Sequence, residues 1–183
     1  MQSPFFQLLQ SNNVSPQTRR VLEDRLALQD YQPAFFTPQE WHLVQLLADA
    51  ILPQASVGTN APCAAMIDQS LTKEEGSGWR YATLPPAPEA YRTALRCIAE
   101  NFHESDPAAR HQQNEVIDLL HRIHRKELDT TSFPISLWLE GFKFDVVRYW
   151  LASPETMAAL DYRGFADDNL TPQDSLNAGP VSR

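Results

Sequence analysis

The chain has 183 residues, 43% of them hydrophobic and 21% charged, a balance that fits one globular domain with a buried core and excludes a disordered chain. Its formal net charge of -8 excludes wholesale phosphate-backbone binding, which concentrates positive charge, so no nucleic-acid partner is expected. Six glycines against fourteen prolines suit short, proline-punctuated helices better than a β-rich fold, which would want more turn glycines.

The first residues, Met1 to Gln10, have no basic region and too short an apolar run for a signal peptide. Arg19-Arg20 invites a twin-arginine reading, but Glu23, Asp24 and Arg25 stand where an apolar segment would have to follow. No export signal is therefore expected in this chain. Nor does any stretch approach the roughly 18 to 20 apolar residues of a membrane span.

Ser15-Pro16 places a capping hydroxyl before a proline and opens a helix through about Leu28. Val21, Leu22, Leu26 and Leu28 are its apolar positions, and Arg19, Arg20, Glu23 and Asp24 its wet ones. The segment from Phe36 to Pro53 is the best specified. Thr37 sits at the N-cap, Pro38 at the first helical position, and Glu40 at the third can complete a capping box. Phe36 and Trp41 are spaced for a hydrophobic staple. Trp41, Val44, Leu47, Ala48 and Ile51 share one face, His42, Gln45 and Asp49 line the other, and Pro53 ends the helix.

Gln54 to Ala61 reads as a loop. Pro62 begins a helix carrying Ala65, Met66, Ile67 and Leu71, which fades at Gly76-Ser77-Gly78. Trp79 to Ala87 is irregular, with Pro85-Pro86 inside it. Tyr91, Leu95, Ile98 and Phe102 then step along one helical face. Asp106-Pro107 caps another helix with Val116, Leu119, Leu120 and Ile123 toward the core. Asp118 lies four residues before Arg122 on its wet side. Phe133 to Leu151 is the most aromatic stretch, with Phe133, Trp138, Phe142, Phe144, Tyr149 and Trp150. Ser153-Pro154 caps a short final helix with Met157 and Leu160. The expected architecture is all-α, a compact single-domain bundle of about seven proline-capped helices over residues 1–166. Residues 167–183 turn acidic and then Asn/Gly/Pro/Ser-rich, and read as an extended or disordered tail.

Signs of chemistry are sparse. His121, His124 and Glu127 fall on one helical stripe at metal-ligand spacing, but Arg122, Arg125 and Lys126 crowd the same turns, which favours a solvated charged face. His42 and Asp49 lie on a wet face. Cys63 and Cys97 make no disulfide framework and no Cys-x-x-Cys-His haem site, although one bridge between them stays open. No Gly-x-Ser-x-Gly elbow and no dinucleotide or phosphate loop occurs. No catalytic, cofactor-binding or metal-ligating residue is assigned. The aromatic helix is apolar around most of its circumference. Such a helix is either central in its own domain, as aromatics at helical spacing generally are, or shared with a partner.

The Thr37-Pro38-Gln39-Glu40 opening and the Ala48-Asp49-Ala50-Ile51-Leu52-Pro53 ending of the capped helix resemble the gluconate 2-dehydrogenase subunit 3 family. These are the small subunits of bacterial flavin-dependent sugar and polyol dehydrogenases. The leader Asn12-Asn13-Val14-Ser15-Pro16 with Arg19 is similar too. So is the end of the chain, where Phe142 and the following aromatics lead into Trp150, Ser153-Pro154 and Leu160-Asp161-Tyr162-Arg163-Gly164. That end resembles the family's Gly-Tyr-x-Gly turn, with Asp161 in place of its first glycine. The Gly-Gly-Asn segment common upstream in many members is absent, as is their twin-arginine signal. The resemblance runs from about Asn12 to Phe165.

The resemblance implies an all-helical, non-catalytic small subunit that binds and stabilises a large catalytic subunit. That subunit would hold FAD in a glucose-methanol-choline oxidoreductase fold, often beside a c-type cytochrome subunit that takes the electrons. It implies no flavin ligand and no redox centre in this chain. The compartment is then cytoplasmic, or periplasmic through a signal-bearing partner. Trp138, Phe142, Tyr149, Trp150 and Tyr162 are the candidate partner-interface residues. Rival readings are a standalone metal-dependent enzyme using His121, His124 and Glu127, and a regulatory protein-binding module unrelated to redox.

Overall fold

Hydroxyl and proline caps decide where most helices of this chain begin. The computed structural model describes residues 4–73, 81–102, 109–162 and 164, with the backbone alone for 109–113. Among the described residues eight α-helices follow one another: α1 (Pro4–Leu9), α2 (Pro16–Leu26), α3 (Pro38–Ile51), α4 (Cys63–Thr72), α5 (Ala87–Asn101), α6 (Ala109–His124), α7 (Ile135–Ala152) and α8 (Pro154–Ala159). No strand occurs among the described residues, and the fold is all-α. The expected helix end at Gly76–Gly78, the irregular Trp79, the Asp106-Pro107 cap and the 167–183 tail lie outside the described residues.

At α3 the Thr37 hydroxyl accepts from the Glu40 N–H, and the Glu40 carboxylate accepts from the Thr37 N–H at 2.9 Å, a complete capping box. Phe36 is buried and Trp41 half-buried in one core, as the staple spacing requires. Leu43 joins Val44, Leu47 and Ala48 on the buried face. The Ser15 hydroxyl caps α2 by accepting from Thr18 N–H at 3.2 Å, and the Ser153 hydroxyl caps α8 by accepting from Glu155 N–H at 3.3 Å. α1 was not legible in the sequence. It buries Phe5 and Leu9, and Arg19 closes its end by donating to the carbonyls of Leu9 at 2.9 Å and Ser11 at 2.6 Å.

Four local expectations need correction. α2 stops at Leu26 and a 3-10 turn, Ala27–Asp30, carries the chain on. Val21 is exposed, because α2 needs only the narrow stripe around Leu22. α8 ends at Ala159 and leaves Leu160 exposed. Arg122 reaches Glu127 at 3.8 Å, past the end of α6.

Both α6 and α8 close in the same way. Glu127 N–H donates to the Arg122 carbonyl and Lys126 N–H to Ile123; Tyr162 N–H donates to Met157 and Asp161 N–H to Ala158. These are paired 6→1 and 5→2 closures, which demand a left-handed residue. Lys126 (φ 63°) and Asp161 (φ 49°) supply it.

α7 is the axis of the fold and packs against α3, α4, α5, α6 and α8. The main core gathers around it from α3 to α6, with Leu47, Ile67, Leu95, Ile98, Ile123 and Leu139 almost fully enclosed.

Candidate partner interface on α7

α7 starts where Asp129 accepts from both the N–H (2.7 Å) and the hydroxyl (2.6 Å) of Ser136, a carboxylate at the positive end of the helix dipole. With five helices around it, α7 buries apolar side chains over most of its circumference.

The five residues singled out from sequence are not brought together on one surface. Trp138 and Phe142 are interior, 3% and 1% exposed. Their rings stack at 5.1 Å between centroids, and Tyr91 meets Trp138 edge-on at 5.4 Å. Tyr149 is half-buried under the Arg148 guanidinium, 4.4 Å from its ring centroid. The half-buried Trp150 donates its indole N–H to the Thr59 hydroxyl at 2.9 Å, tying α7 to the loop after α3. Tyr162 is exposed and lies beyond α8, its hydroxyl donating to the Gly164 carbonyl.

What α7 does present is a ridge of Phe144 (54% exposed), Val147 (41%) and Leu151 (49%). The spacing i, i+3, i+7 puts the three on one line, the a/d pattern of a helix seam. Charge borders the ridge. Lys143 pairs with Glu140 at 3.0 Å, and Arg148 pairs with Asp145 at 3.0 Å. Asp145 also accepts the buried Tyr91 hydroxyl at 2.8 Å. Burial raises its carboxyl above the ordinary range although both partners pull the other way. Sequence reasoning missed the ridge because every apolar position of α7 looked alike. Its 3-then-4 spacing was no distinguishing signal, since the buried Ile135, Leu139, Phe142 and Val146 recur at the same helical steps.

The other candidates are dispersed. Glu127 is held by Arg125 at 2.6 Å and Arg122 at 3.8 Å, His121 is exposed, and His124 lies 4.0 Å from Glu140. Among the described residues no three His, Cys, Asp or Glu side chains converge as a metal-ligand set. Cys63 and Cys97 are free thiols; burial pushes that of Cys63 up to about 12. On α5, Pro88, Glu89, Arg92, Thr93 and Arg96 line an open groove along one helix. No described helix is long and apolar enough to cross a membrane. Comparison with protein-family models, curated proteins and solved structures returned no match.

Proposed function

We propose that this chain is a non-catalytic accessory subunit that binds and stabilises the FAD-containing catalytic subunit of a sugar, glycoside or polyol dehydrogenase. The observation that carries a partner-binding role is the Phe144–Val147–Leu151 ridge, on a helix otherwise enclosed by its own domain. Three large apolar side chains in line are the kind of surface that a partner covers, and charged pairs beside them form a fitting rim. Which partner is supplied by the resemblance of the Thr37–Pro53 and Ser153–Gly164 segments. The left-handed Asp161 supports that register, since it stands where the resemblance places a glycine and glycine tolerates that conformation best. On this reading the flavin and the substrate pocket belong to the catalytic subunit, and a c-type cytochrome subunit can complete the assembly.

The test is co-expression with a glucose-methanol-choline flavoprotein from the same genome, followed by size-exclusion chromatography with flavin absorbance recorded. A permanent complex buries more than about 2,000 Å² with the ridge near its centre. Phe144→Glu or Leu151→Glu should abolish co-elution, leaving the melting temperature of the isolated chain unchanged. A wild-type chain that ignores the flavoprotein, or ridge variants that co-elute normally, would end the proposal.

A further inference from the structure

The amino-terminal segment is built as a unit of its own. Phe5, Leu9, Val14 and Leu22 form a buried cluster separate from the main core, closed by Phe6, Leu8 and the α8 residues Met157 and Ala158. Arg19 donates inward, to the carbonyls of Leu9, Ser11 and Val14, so that α1 and α2 are fastened to each other. The segment meets the body of the protein mainly at α8 and at its own last turn. There Leu28 packs with Ala65 and Met66 and against Tyr149 and Ala152. The polar ties gather at the same end. Arg25 donates to the Ala152 carbonyl at 3.0 Å, and Gln29 donates to Glu155 at 2.6 Å and to the Asn60 carbonyl at 3.3 Å.

Just beyond, the chain is pinned. Asp68 of α4, fully buried, accepts the Tyr31 hydroxyl and the backbone N–H groups of Ala34, Phe35 and Phe36. Between these pins lie Gln32 and Pro33, in no regular structure.

We propose that residues 4–30 are a latched strap that opens from α7 and α8 as one cooperative unit while the main core stays folded, with Asp68 as the post at which opening stops. A segment with a buried cluster of its own, apart from the main core and joined to the body along α8 and through Leu28 with a few part-exposed hydrogen bonds, has the construction of a sub-globular opening unit. Opening bares Tyr149, Ala152, Met157 and Ala158. On the accessory-subunit reading, on which this consequence alone rests, those residues widen the docking face beside the α7 ridge.

Native-state hydrogen exchange with mass spectrometry on the full chain tests the strap without any flavoprotein, so its outcome is independent of the proposed function. Amides of α1 and α2 should share one opening and exchange at least about tenfold faster than the slowest amides of α3, α5 and α7. Leu28→Ala should speed all strap amides by a common factor of about ten or more and leave α5 unchanged. Arg25→Ala, a milder change at the latch, should act in the same direction with a smaller factor. Strap amides exchanging at the rate of α5 in the wild type would overturn the proposal. So would variants in which α1 and α2 accelerate by different factors, or in which α5 accelerates with them.

Discussion

The Tyr31 hydroxyl donates to the Asp68 carboxylate at 2.7 Å across a gap of 37 residues. The same carboxylate accepts Ala34 N–H at 2.8 Å and Phe36 N–H at 2.8 Å, with Phe35 N–H at 3.1 Å shared between its two oxygens. One fully buried anion thus satisfies the backbone leading into the α3 cap, where a buried N–H without an acceptor would be costly.

Asp68→Asn should therefore destabilise the chain by about 3 kcal/mol, because the amide nitrogen turns a donor toward N–H groups that need an acceptor. Tyr31→Phe should cost less, about 1.5 kcal/mol, since it removes a single charge-assisted bond and leaves the backbone pins intact. Urea midpoints of the two variants measure both; equal costs would contradict this account.

Alkaline pH should weaken the fold through the same contact. Burial, reinforced by the bond to Asp68, raises the Tyr31 hydroxyl from 10.0 to about 12, and burial beside Asp145 raises Tyr91 as well. The folded state then keeps protons that the unfolded chain releases, so stability is complete below pH 10 and falls as pH rises from 10 toward 12. Tyr31→Phe should flatten part of that slope and leave the Tyr91 share. Denaturant midpoints at intervals from neutral to alkaline pH check it.

The two left-handed helix ends offer stabilising substitutions. Lys126 (φ 63°) carries a Cβ in a conformation that costs about 1 kcal/mol outside glycine. Lys126→Gly should raise stability by roughly 0.5 to 1 kcal/mol. Asp161→Gly should gain less, because a short acidic side chain tolerates this region better than lysine. Thermal melts of both variants rank the two gains; destabilisation by Lys126→Gly would contradict the cap assignment.

Core and ridge of α7 should separate cleanly in the isolated chain. Trp138→Ala, stripped from between Tyr91 and Phe142, should cost about 3 to 5 kcal/mol. Phe144→Ser should stay within about 0.5 kcal/mol of wild type and reduce self-association, since it removes exposed apolar surface. Melting temperature and light scattering on the same samples read the two effects.

Much of the fold was legible because its signals are local. Thr37 with Glu40, Ser15 with Pro16 and Ser153 with Pro154 each announce a helix start within four residues, and each start stands where its cap chemistry puts it. The wet face of α3, His42, Gln45 and Asp49, follows from period alone. α1 was missed because six residues are too few to show a period, and it is held by the burial of Phe5 and Leu9 with Val14, Leu22 and α8 and by the bonds from Arg19 to its end.

By itself the sequence determined the helical class, the helix starts and the buried faces of the amphipathic helices, since caps and period act within a few residues of the chain. Tertiary structure decided the rest. α7 is apolar nearly all round, so no periodicity could say that Trp138 and Phe142 go inside while Phe144, Val147 and Leu151 stay out; the five helices packed around it make that choice. Asp68 looks like any acidic residue in a helix. It became the anchor of Tyr31 to Phe36 only when a segment more than thirty residues earlier folded over it, because burial and long-range hydrogen bonds are properties of the assembled fold.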